Sequence, residues 1–147
     1  MEITIHQLLP GAREARGIAV IIDVFRAYSV ESYAFAQGMK RIYPVGDMEE
    51  AYRLKQQHPD YLLCGEREGR KQAGCDFGNS PLEIIQHDLT GRTMVHTTSA
   101  GTQGLENATN ADLLLAGQRG CYGRIHSPPE PSACQFGMHG SCLPPPH

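Results

Sequence analysis

Three acids, two arginines and a hydroxyl-rich loop stand where this chain could do chemistry. Asp23 and Arg26 sit in Ile22-Asp23-Val24-Phe25-Arg26-Ala27, and Glu66 and Arg67 in Cys64-Gly65-Glu66-Arg67-Glu68-Gly69. Asp76 and Asn79 sit in Asp76-Phe77-Gly78-Asn79-Ser80-Pro81, followed by Thr97-Thr98-Ser99-Ala100-Gly101-Thr102 and then Leu115-Ala116-Gly117. Four of these five strings close an apolar run that reads as a buried strand. Loops at the carboxyl ends of parallel strands converge on one crevice. Carboxylates there suit Mg²⁺, which takes one or two of them together with phosphate oxygens and water. Asp23, Glu66 and Asp76 are therefore the candidate metal ligands. Asp23, Arg26 and Glu66 form the candidate catalytic set. Arg67, Asn79, Thr97, Thr98, Gly101 and Thr102 would hold phosphate or another anion, the loop offering backbone N–H groups at a helix start. Each assignment has a plainer counterpart. Asp23 can cap the next helix, Glu66 and Arg67 can form a solvated charged loop, Ser80 can cap a helix, and the Thr97–Thr102 loop can do so without a ligand.

Other chemistries fail on residue type. A haloacid-dehalogenase nucleophile needs a second Asp two residues after Asp23, and Phe25 stands there. Cys64 and Arg70 have the spacing of a Cys-x5-Arg phosphatase loop, yet Glu66 and Glu68 inside it would repel a phosphate dianion. No Lys follows Gly101, so the loop is not a nucleotide-binding Gly-x4-Gly-Lys-Ser/Thr loop and a small phosphate ester is the better fit.

The elements that must position these residues alternate strand and helix up to about Gly117. Strands are expected at Met1–His6, Gly17–Val24, Arg41–Val45, Tyr61–Cys64, Thr93–Thr97 and Ala111–Ala116, the second apolar enough to be buried on both faces. Helices are expected at Ala27–Gln37, from Asp47 to Pro59, at Ser80–Gln86 and at Thr102–Asn107. Asp47 and Glu50 form a capping pair, and Ser80 with Pro81 opens the third helix. Cys64–Asn79 reads as a long polar loop. This order predicts an α/β fold, a mostly parallel sheet with flanking helices.

The 147 residues allow one ordinary domain, and a hydrophobic fraction of 40% allows a core. A net charge of -3 argues against nucleic acid as a partner, and no apolar stretch reaches the roughly 20 residues of a membrane span. The start lacks a signal-peptide pattern, so a cytoplasmic location is expected, with free cysteines. Composition changes after Gly120. Cys121–His147 holds six of ten prolines, three of five cysteines and two charged residues, with no apolar period. We read residues 1–120 as an α/β domain and 121–147 as a Pro/Cys/His-rich disordered tail, out of frame with what should follow. Its Cys and His spacings do not match structural zinc.

Taken in order, the Asp23, Glu66, Asp76 and Thr97–Thr102 strings resemble the 2-phosphosulfolactate phosphatase family from about Ile3 to Gly117. Phe25, Tyr28, Cys64 and Ser99-Ala100 depart from its commoner residues. The resemblance implies a Mg²⁺-dependent phosphatase acting on 2-phospho-3-sulfolactate, a step in coenzyme M biosynthesis, or on a related small 2-phospho acid. It also implies that the family fold continues into a second α/β half, which makes this chain truncated. The alternative is a non-catalytic remnant that binds an anion or a partner chain, and its exposed cut edge would favour a homo-oligomer.

Overall fold

The computed structural model describes residues 2–118 and, as backbone strands, Cys121–His126 and Ala133–Gln135. In chain order the elements are α1 Leu8–Glu14, β1 Gly17–Ile22, α2 Ala27–Ala36, β2 Arg41–Pro44, α3 Met48–Gln57, β3 Leu62–Arg67, β4 Arg70–Lys71, α4 Pro81–Ile84, β5 Thr93–Thr97, α5 Gly101–Asn107, β6 Ala111–Gln118, β7 Cys121–His126 and β8 Ala133–Gln135. The fold is α/β with a mostly parallel framework. β1 pairs with β6, and β5 lies between β2 and β3, all in parallel. Antiparallel β7 and β8 link the two groups, and β4 turns back on β3.

The β2–β5–β3 group is a slab covered on both sides. Ile42, Met94 and Cys64 face Val30 and Ala34 of α2 and Ile84 of α4, while Leu63 and Val95 face Ala51 and Leu54 of α3. Such strands have no polar face because they have no solvent face. The β1–β6 pair packs one face only, through Ala19, Leu114 and Ala116, against Ala12, Tyr28 and Leu105.

Several expectations need correction. Residues 2–6 form no strand, and Ile3 and Ile5 are largely exposed. They are followed by α1, which Pro10-Gly11 hid, although proline is tolerated in a first helical turn. β1 is not buried on both faces: Ile18 and Ile22 are 69% and 71% exposed, with Val20 also open. The polar stretch after Cys64 is partly a hairpin. β3 runs on through Glu66 and Arg67, and Glu68 and Gly69, both at positive φ, turn the chain into β4. Two such residues fit a tight hairpin turn. Ser80 makes no capping bond; Glu83 Oε2 accepts from Gly78 N–H at 2.8 Å instead. Asp47 does cap α3, accepting from Glu50 N–H. Strands β7 and β8 fall within the segment expected to lack regular structure, and the rest of that segment, with His139, Cys142 and His147, lies outside the described residues.

Candidate functional site

Strand ends gather the acids in the seam between the two groups. Asp23 follows β1, and the Ala27 N–H at the start of α2 lies on the side that favours its ionised form. It is half-buried, and its Oδ1 has no partner among the described residues. Burial pushes its pKa up; the Ala27 N–H and the charge of His96 oppose this, and Glu66 adds to the rise. Both acids border the Ser99–Gly101 loop.

Glu66 is held differently. It is 6% exposed, yet its Oε1 accepts from Gly69 N–H in the hairpin turn and from Ser99 Oγ at 3.0 Å. Burial works against its charge, but these bonds, the nearby Ser99 N–H and the Arg26 guanidinium outweigh it. Its pKa therefore lies below the usual glutamate range. Two neighbouring acids with opposed shifts are a frequent mark of a working site.

Arg26 is exposed, and its Nη2 lies 3.9 Å from where a Cβ on Gly69 would stand. Gly101 closes the seam from the other side. A Cβ there would come within 2.7 Å of both Ala27 Cβ and Asp23 Oδ2, so only glycine allows this approach. Tyr28 Oη donates to Gly101 O at 2.9 Å and holds the contact.

Other candidates serve the frame. Arg67 donates to Glu66 O, Gly46 O and Thr97 Oγ1 at 2.7–2.8 Å, so its fork braces β3 to β5 and is already engaged. Thr97, Thr98 and Thr102 are at most 2% exposed, and Thr98 and Thr102 bond each other, Thr102 Oγ1 accepting from Thr98 N–H at 2.9 Å. These hydroxyls shape the loop; Ser99 and Ala100 are its exposed part. Asp76 accepts from Leu63 N–H at 2.8 Å and pairs with Lys55 at 3.5 Å. Leu63 is three residues before Glu66, about 10 Å along a strand, so Asp76 is anchored away from the other two acids. Asn79 is buried, and its Oδ1 has no partner among the described residues.

Two residues were missed by sequence reading. Glu31 on α2 and His96 on β5 are both fully buried, with His96 Nδ1 2.9 Å from Glu31 Oε1. Glu31 looked like a polar helix position, and His96 was hidden in the apolar run Met94-Val95-His96. The available signal was a histidine in a strand otherwise read as buried.

Residues 3–119 match the family described as 2-phosphosulpholactate phosphatase. A probable 2-phosphosulfolactate phosphatase of Thermotoga petrophila is 42% identical over 98 residues, covering 67% of this chain and 42% of the relative. The one from Bacillus subtilis is 36% identical over 115 residues, covering 78% of this chain and 50% of the relative. The one from Carboxydothermus hydrogenoformans is 43% identical over 98 residues, and 40% of it is covered. The chain thus spans half or less of the length of these relatives.

Proposed function

The chain belongs to the 2-phosphosulfolactate phosphatase family, and from that premise we propose that it is built to hydrolyse a small 2-phospho acid in the cytoplasm with the help of Mg²⁺. One observation carries the proposal: Asp23 and Glu66, from different strand ends, border the same loop, Glu66 accepting from Ser99 Oγ at 3.0 Å and Asp23 Oδ2 lying 2.7 Å from where a Cβ on Gly101 would stand.

The donor set suits a hydrated hard cation. Both groups offer oxygen, and Asp23 Oδ1 is an orphaned buried acceptor. Among the described residues no three His, Cys, Asp or Glu could together hold a metal ion, so two of the three candidate acids are proposed as its protein ligands, within the one or two carboxylates Mg²⁺ commonly takes. Asp23 and Glu66 would hold it; Asp76 is left out by its bonds to Leu63 and Lys55. When bound, Mg²⁺ would neutralise phosphate charge and favour an attacking water. Arg26, exposed beside the acids, would clamp the phosphoryl oxygens or the acid group of the substrate. The Ser99–Gly101 backbone would line the anion side, and the paired Thr98 and Thr102 hydroxyls would keep that loop in shape. 2-Phospho-3-sulfolactate is the first substrate to try.

Phosphate release from a panel of 2-phospho acids, with and without Mg²⁺, tests this reading. Turnover that needs Mg²⁺ and falls at least about a hundredfold in Glu66→Gln is expected. Metal-independent turnover, or full activity in that variant, would overturn it. A second reading is a non-catalytic anion binder, favoured by the coverage of half or less of the relatives' length. It predicts saturable phosphate binding with no phosphate release from any ester in the panel.

A further inference from the structure

We propose that the open face of the β1–β6 pair is an interface with a second copy of this chain. The two copies stack sheet on sheet about a twofold axis that crosses the strands. This goes beyond the phosphatase reading and does not depend on it.

Side chains alternate across a strand. The parallel register therefore sets Ile18 beside Leu113 and Val20 beside Leu115 on one face, with Ala19, Leu114 and Ala116 on the other. The second face is packed. On the first, Ile18, Val20 and Ile22 are 69%, 50% and 71% exposed, and the two leucines are partly exposed. Five aliphatic side chains thus stand together with no polar group among them. Parallel strands ordinarily have both faces covered. Single apolar residues at a surface need no partner, whereas a contiguous patch marks a place of contact.

Shape, charge and area select a second copy as the occupant. Ile22 stands beside Gly117, which leaves a notch at one end of the face, while Leu113 occupies the matching place at the other end. A twofold axis across the strands lays each strand over its own copy in reverse. Val20 then meets Val20, Leu115 meets Leu115, Ile18 meets Ile22, and Leu113 enters the notch at Gly117. Sheets stacked about 10 Å apart accommodate such a layer of side chains from each copy. Both ends of the face carry one charge of each sign, Arg16 and Asp112 at one and Asp23 and Arg26 at the other. Reversal therefore opposes no block of like charge, and the rim lacks the single sign that would draw nucleic acid or a lipid surface.

The five side chains offer on the order of 300–400 Å² per copy. Phe25, 90% exposed just beyond Ile22, adds about 200 Å². Two copies together would bury roughly 1,000–1,200 Å², the low end for a specific interface. The dimer is accordingly weak, and the dilute chain is a monomer with this face open.

Sedimentation velocity on the full chain, from about 1 µM to about 500 µM, tests the proposal. The mass should rise from monomer to dimer with a dissociation constant of about 10–100 µM. The double variant Ile18→Lys/Val20→Lys should stay monomeric throughout, melting within about 2 °C of the wild type when dilute. At high concentration with diamide, Val20→Cys should cross-link to the same position of its partner, read by peptide mass mapping. A wild type that is monomeric at every concentration overturns the proposal, as does a dimer that survives the double variant. So does Val20→Cys without that cross-link. A double variant that melts well below the wild type in dilute solution would show that the chain covers this face itself, which also overturns it.

Discussion

The slab of β2, β5 and β3 and the pair of β1 and β6 are both built on apolar runs but face different surroundings. In the slab, Ile42, Leu63, Met94 and Val95 are fully buried between helices on both sides. In the pair, Ile18, Val20 and Ile22 lie along one open face, and the inner face is mostly alanine. Stability should therefore be concentrated in the slab. The proposed site lies in the seam, where the loop and helix following β1 meet the loops following β3 and β5, so it would depend on both.

The largest contrast comes from cavity variants. Leu63→Ala should cost about 2–5 kcal/mol in urea denaturation, whereas Ile18→Ala should stay within about 0.5 kcal/mol. Equal costs would show that the open face is covered in solution. Gly101→Ala sharpens the role of the seam. Its new methyl would meet Ala27 and Asp23, costing about 1–3 kcal/mol. Phosphate binding, read by isothermal calorimetry, should be lost with it; retained affinity would mean the loop can withdraw at little cost.

Asp23→Asn should act in the opposite direction. Because burial raises the Asp23 pKa, the folded state disfavours its ionised form, and that penalty is present above the folded pKa and relieved on acidification. The variant should melt about 2–4 °C higher near neutral pH while losing its Mg²⁺ dependence. A lower melting temperature would mean that the charged carboxyl is needed for the fold. His96 gives the mildest test. Its folded pKa of about 10 exceeds the ordinary 6.5, so its contribution is complete below pH 6.5 and fades as pH rises toward 10. Melting curves across that range should fall for the wild type and flatten in His96→Gln. Parallel curves would deny the imidazole its charge.

These expectations show which parts of the molecule sequence reading could reach. The slab strands were legible because a short apolar run between turn signals is what a doubly covered strand looks like. Asp47, three residues before Glu50, announced its helix by local chemistry alone. β1 had the same apolar signal without the same surroundings, since periodicity reports the demand for burial and not whether anything meets it. The hairpin after Glu66 was missed because Glu68 at positive φ has no strong residue preference to reveal it. Asp23 and Glu66 could be chosen by type and position at strand ends. That Arg67 would be engaged by Gly46 and Thr97, or that Glu31 would meet His96, depends on contacts between segments far apart in the chain.

The Gly69 amide has a use beyond holding Glu66. It lies in an exposed turn, where backbone hydrogens exchange with solvent rapidly, yet it donates to a nearly buried carboxyl oxygen. Its exchange rate is thus a built-in gauge of how tightly Glu66 is held. Anything that draws that oxygen away, whether a cation, a proton or a shift of the Ser99 loop, should register as faster deuterium uptake at this one glycine. The occupancy of the seam can then be followed without a substrate.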